Sequence, residues 1–447
     1  MFFVPGVKKR YIGWVTLAAL SVGTVSCGSK KSATNQHRVS GLKFRAFVSN
    51  PLFPSGAGGV PVINIVDAQK DIVSFSTIGL LGDSDQPSMM VVSPDLSRTM
   101  VFSPTGNTVS VVDNTTEAIA TISGSSTSVP TITLPGLTES MFIAKDGVSA
   151  YAAIPSAPVT GQEPGAVIAM NLGTGGIIAT IPLPAAHYIV GSPDGTHILV
   201  FSDNSNTMTV ISTALIGVAN QVTTEVAGFD RPAWAIFTSN TTAFVFNCGA
   251  ECGGSTAGVT GFTIGNSGPG PTTPLSGASY ALLNGNTLYV AGTPPHTACP
   301  AGTAAATCGT LNLVDANSLV RLNTSPILIT DGYHDRMQMG ADGQLFIGAR
   351  SCTSINVSGG EVRGCLSIFN TLNSQIVIPP ETGDATGIQP ITGRTVVYVC
   401  QGGRFQIYDT TTDRLFVPPY NRNNSLGITD NIVGQSYDVK LVDPPVD

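Results

Sequence analysis

Charge is scarce in this chain of 447 residues: 21 lysines and arginines and 28 aspartates and glutamates make up 11% of it, for a formal net charge of -7. No basic stripe is present to neutralise phosphates, which argues against nucleic acid or an anionic lipid surface as a partner. Tryptophan is almost absent, with only Trp14 and Trp234. There is no Cys-x-x-Cys-His run, so covalent haem is not indicated. Glycine-rich stretches such as Gly249 to Gly254 lack a phosphate-binding lysine and a following helix. A nucleophile beside a base, carboxylates paired at a defined site and a histidine cluster are all missing, so no catalytic residue is assigned.

What is abundant is glycine (50), proline (30) and apolar side chains (42%), a profile that suits an all-β extracytoplasmic protein. From Met89 to Ile122 four short runs, Met89 to Val92, Met100 to Ser103, Val109 to Val112 and Ile119 to Ile122, are separated by turn residues and read as antiparallel strands a, b, c and d. The unit recurs. The ends of successive c strands fall at Asp67, Asp113, Asn171, Ser212, Ile264, Asp315, Asn370 and Asp409, so seven steps cover 409 − 67 = 342 residues, about 49 each. Aspartate- and asparagine-glycine turns at Asp146-Gly147, Asp194-Gly195, Asn284-Gly285 and Asp342-Gly343 supply the left-handed position of tight a-b hairpins.

A four-stranded sheet cannot bury both its faces alone, and radial stacking gives every sheet two neighbours. The repeat therefore predicts an all-β fold, a β-propeller of eight four-stranded antiparallel blades. The first unit begins at strand b, near Arg45, and the unmatched run Ser436 to Val442 is expected to close the ring as strand a of that blade.

Thr99 to Asp113, and Thr287 to Val290 with Leu311 to Asp315, resemble the YVTN-type propeller repeat of bacterial surface and periplasmic proteins, and the pattern extends over residues 44 to 442. The resemblance implies a propeller. Members of that family usually have seven blades, which makes seven the alternative count. Such repeats also occur in lactonase-like enzymes, so a hydrolase with its site at the channel mouth is one alternative function.

At the N-terminus, Lys8-Lys9-Arg10 precede the apolar run Tyr11 to Val22, and small residues lead to Cys27. The order resembles a bacterial lipobox, which implies a signal peptide over 1–26 and lipidation of Cys27. A plain signal peptide or a membrane anchor is the other reading. Residues 27–43 are then the lipidated cysteine with a polar tether, and 44–447 one propeller domain. Gly28 resembles the sorting residue of outer-membrane lipoproteins, so the expected location is the cell envelope, lipid-anchored, at the outer membrane.

Six further cysteines fall two by two in the b-c loops of blades 5 to 7: Cys248 and Cys252, Cys299 and Cys308, Cys352 and Cys365. Three local disulfides are the simplest pairing, with pairing between neighbouring loops also open. Cys400 ends a b strand and reads as a buried thiol. No metal or cofactor is assigned.

The d-a and b-c loops of a propeller open on one face. On it the sequence places Glu139, His187, Asp230, Arg231, Asp331, His334, Asp335, Arg336 and Asp384, with Asp83, Asp85, Glu381 and Asp430. These form a possible ligand face, although loops carry polar residues in any protein. The function that follows is a non-catalytic, lipid-anchored scaffold presenting this face to a protein, glycan or small ligand. Besides the hydrolase, a structural envelope protein is an alternative. The three cysteine-bearing loops with Tyr333 to Arg336 are expected to form a rigid recognition ridge.

Overall fold

The computed structural model describes residues 40–55, 58–80, 86–218, 223–299, 304–415 and 432–444. The sequence expectations at Cys27, Asp83, Asp85 and Asp430, and the signal peptide, lie outside them. The described strands form eight four-stranded antiparallel sheets in a ring, a β-propeller with the expected eight blades. The innermost a strands of blades 2 to 8 are Met90–Val92, Ser140–Ile143, Ala186–Gly191, Pro232–Phe237, Tyr280–Asn284, Tyr333–Met339 and Ala385–Pro390. Blade 1 takes its strand a from the other end of the chain: Val439–Leu441 pairs with strand b, Arg45–Ser55, through Ala46 to Leu441 and Val48 to Val439.

The repeat could be counted at the end of strand c because that residue forms a turn. Asp113, Asn171, Asp315 and Asn370 each accept, on one side-chain oxygen, the amides two and three residues on. The residue four positions after each is left-handed: Glu117, Gly175, Leu319 and Ser374, as are Asp71 after Asp67 and Asp413 after Asp409, with φ between 52° and 70°. This fixed turn reverses the chain into strand d.

Strands b and c are buried on both faces between neighbouring blades, as in Arg98–Ser103 and Ala166–Asn171, whereas the outer d strands are largely exposed. Blade 2 departs from the expected pattern. Its outer edge is split: Ala118–Ile119 and Ile132–Thr133 both pair with strand c, because the serine- and threonine-rich chain between them has little to bury.

Two ionic clasps hold the seam. The side chain of Arg45, at the start of strand b in blade 1, bridges Glu117 of blade 2 at 2.8 Å and Asp443 at 2.7 Å. Arg394 and the Tyr398 hydroxyl of blade 8 both reach the Asp71 carboxylate of blade 1. Ser40 binds Glu117 as well, so the chain enters the fold on the face of the a-b and c-d turns.

Candidate functional site

Four β-bulges aim side chains at one end of the central channel. In blades 4, 5, 7 and 8 the pairing of strand a with strand b shifts by one residue near the top of strand a, leaving His187, Ala233, Asp335 and Thr386 as the extra residues. A bulge re-aims a side chain while the rest of the ladder keeps its register. His187, Ala233 and Thr386 line a cavity of about 450 Å³ at the mouth, and Asp335 lines a second of about 340 Å³ deeper in the channel. His187 and the run from His334 to Arg336, expected in loops, are therefore strand residues.

The bulges assemble a charged network. His187 Nδ1 lies 2.7 Å from Asp203 Oδ1 and its Nε2 3.2 Å from Glu139 Oε2. Arg350 crosses from blade 7 to donate to the same Glu139 oxygen at 2.8 Å, while its Nε sits 2.7 Å from Asp335 Oδ2 as an ion pair without hydrogen-bond alignment. Arg336 lies 3.4 Å from the same Asp335 oxygen. Burial alone would lower the His187 pKa, but the bonds to Asp203 and Glu139 overcome it and raise it to about 9. The His187 and Arg350 hydrogen bonds hold Glu139 well below the usual carboxylate range. Both partners are charged at neutral pH.

Beside the charges stands an aromatic wall. Tyr188, Trp234 and Tyr280 occupy the same register, each opposite the penultimate residue of its strand b (Phe201, Phe246, Ala291), and Tyr333 follows from blade 7. Ring centroids run 6.2 Å from Tyr333 to Tyr188, 6.5 Å from Tyr188 to Trp234 and 4.9 Å from Trp234 to Tyr280. Burial pushes the Tyr188 hydroxyl up to about 12, so it stays protonated.

The residues expected on the ligand face divide into three groups. Glu139, His187, Asp335 and Arg336 line the mouth or the channel, and Arg231 and Asp384 also border the mouth. Asp230, Asp331 and Asp384 hold loops: Asp230 accepts the Ser255 and Thr256 amides, Asp331 the Thr353 amide and hydroxyl, and Asp384 the Ser351 amide. His334 is taken off the face altogether. The bulge at Asp335 turns its ring into the blade interior, 1% exposed, where Nε2 donates to the Thr330 carbonyl and burial lowers its pKa to about 4.

Asp203, Tyr188, Arg350 and Tyr280 were not among the expected site residues, and Tyr333 was expected only as part of the recognition ridge. The signal for three of the wall residues is an aromatic in strand a repeating with the blade, at spacings of 46 (188 to 234) and 46 (234 to 280) residues. Asp203 and Arg350, at ends of b strands, carry no such signal.

The disulfides pair locally, Cys248–Cys252, Cys299–Cys308 and Cys352–Cys365, and Cys400 is a buried free thiol. They strap the b-c loops on the face of the mouth, and Cys252 borders the cavity itself.

No protein-family model matches the chain, and no curated protein does. Among solved structures it is similar to the dihydro-heme d1 dehydrogenase NirN in complex with DHE, at 11% identity over 90% of this chain and 75% of that one, with a TM-score of 0.59. It is also similar to the Kuenenia stuttgartiensis hydrazine synthase, at 17% identity over 73% of this chain and 96% of that one, and to a eukaryotic initiation factor, at 11% over 91% and 100%, both with TM-scores of 0.51. Proteins as different as these share the ring of blades, so the likeness is one of fold and function must be argued from the site.

Proposed function

We propose that the protein is a non-catalytic binding propeller of the cell envelope, of the YVTN-type repeat class, whose ligand sits at the channel mouth. The observation that carries this reading is the set of four bulges, which place His187, Ala233 and Thr386 around the mouth cavity and Asp335 in the adjoining one. The cavity has the size of a small-molecule site, within about 300 to 1,000 Å³, and its walls combine aromatic faces with a few fixed polar groups.

The chemistry favours binding over hydrolysis. His187, held as an imidazolium between two carboxylates, has no free lone pair at neutral pH to act as a base. His334 is neutral but enclosed. Strapped loops around a preorganised network suit recognition, because little motion is left to freeze on binding.

The test is thermal stabilisation by a library of charged and neutral small molecules, with Ala233→Trp as the variant that fills the mouth. A ligand that stabilises the parent, fails with the variant and is recovered unchanged is the expected result. Recovery of a converted product would make the protein an enzyme; no ligand at all would favour the structural role.

In this reading Cys27 carries the lipid. Ser40 lies thirteen residue steps on (40 − 27), a reach of at most about 45 Å, and on the face opposite the mouth. The mouth then opens away from the membrane. Cys27→Ala is expected to release the protein to the soluble fraction or to block its processing, and normal membrane retention with normal processing would refute the anchor.

A further inference from the structure

We propose that the mouth receives a neutral, polyhydroxylated ligand, a saccharide unit lying against the aromatic wall of blades 4 to 7. The inference rests on the mouth being the binding site and adds the chemical class of its occupant.

The charges along the channel are already matched, and the two at the mouth without an ion pair, Arg231 and Asp384, are of opposite sign. Glu139 is paired with Arg350 and His187, Asp203 with His187, Asp335 with Arg350 and Arg336, and Asp438, deeper in the channel, with Lys440. A ligand bringing net charge into the channel would have to break one of these pairs or be desolvated without a partner, and both are costly. The place a ligand ammonium would take in an aromatic cage is also filled, since the Arg350 guanidinium lies 5.7 Å from the centroid of the Tyr333 ring.

What the site leaves unmet is hydrogen bonding of both senses. The Asp335 carboxylate borders the channel cavity, is 6% exposed, and has no donor at Oδ1. Arg231 borders the mouth, and its Nε has no acceptor. One group needs a donor and the other an acceptor, and hydroxyls supply both without bringing charge.

Shape points the same way. The two cavities share Glu139, Tyr188, Ala233 and Tyr333 as lining, so the mouth leads into the channel along the aromatic rings. In the channel the rings lie on one side and Met89 to Val92, Gln389 and Lys440 form the opposite wall, while Tyr437 also lines the mouth. A pyranose has an apolar C–H face and a hydroxylated rim, which matches rings on one side with polar groups at their edges.

The test is calorimetric titration of the full chain in detergent with five trimers: cellotriose, maltotriose and N-acetylated chitotriose as neutral probes, trigalacturonate as the anionic one and the glucosamine trimer as the cationic one. At least one neutral trimer is expected to bind and to change the emission of Trp234, read against a Trp234→Phe control. Tyr188→Ala should weaken that binding about tenfold, and Tyr188→Phe, which keeps the ring, by less than about threefold. Should Tyr188→Ala fail to fold, Ala233→Trp supplies the same block. Binding of charged trimers alone, of no trimer, or with equal strength when the mouth is blocked overturns the proposal. If small molecules from the library still bind at the mouth while all neutral trimers are silent, the saccharide class fails and the binding-site reading stands.

Discussion

His187 is stabilised as a cation by Glu139 and Asp203, and the direction of its titration sets a pH window. Its folded pKa of about 9 lies above the ordinary 6.5, so its contribution is fully present below 6.5 and is lost as pH rises through 9. Glu139 moves the other way: depressed below its ordinary 4.5, it contributes above that pH and loses the contribution as pH falls through its lower folded value. Melting temperature is therefore expected to be flat from about pH 5 to 6.5 and to fall as pH rises from there through about 9. The His187 contribution is at most about 3 kcal/mol. His187→Gln should remove the fall between pH 7 and 10 that the parent shows; an identical alkaline profile in the variant would mean the network does not form.

Strands and loops on the mouth face are coupled by carboxylates that look like ligand residues in the sequence. Asp331 is buried and accepts two bonds from Thr353, which pins the b-c loop of blade 7 near its Cys352–Cys365 strap. Hydrogen bonds to a charged group contribute about 1.5 to 3 kcal/mol. Asp331→Ala is expected to speed amide exchange in residues 351–364 at least about tenfold, with slower change in the b and c strands of the blade. Exchange unchanged in the loop would show that the disulfide alone orders it. The outcome bears on the recognition ridge, because a ridge must be rigid before it can select a partner.

Taken as a whole, the ring is held shut where its two ends meet. Strand a of blade 1 is short, Val439–Leu441, and the Arg45 clasp fastens the residues that flank it. Removing one partner of a buried ion pair strands the others, at about 3 to 5 kcal/mol. Arg45→Ala should lower the stability of the entire propeller by that order in one cooperative transition. Deleting residues 436–447 should cost more, since it removes the strand as well. A truncated protein melting at the parent temperature would refute closure by the C-terminal strand.

The blades, their number and their closure were legible in the sequence because they rest on local, repeated physics: an aspartate or asparagine turn at the end of strand c in six of the eight blades, and apolar runs of strand length between them. The cysteine pairing was legible as its simplest case, since partners four to thirteen residues apart in one loop meet without long closure. The site was legible only in part. Glu139 and His187 stand where loops meet strands and could be placed on the right face, but whether a side chain enters the channel depends on a one-residue shift in pairing. At Asp335 that shift sends His334 inward and Asp335 to the channel, and nothing local in Gly332 to Met337 announces it. Asp203 and Arg350 join the site only because the ring brings blades 3, 4 and 7 around one axis. Local composition decided the blades; the closure of the ring and the register within it decided which residues face each other across the channel.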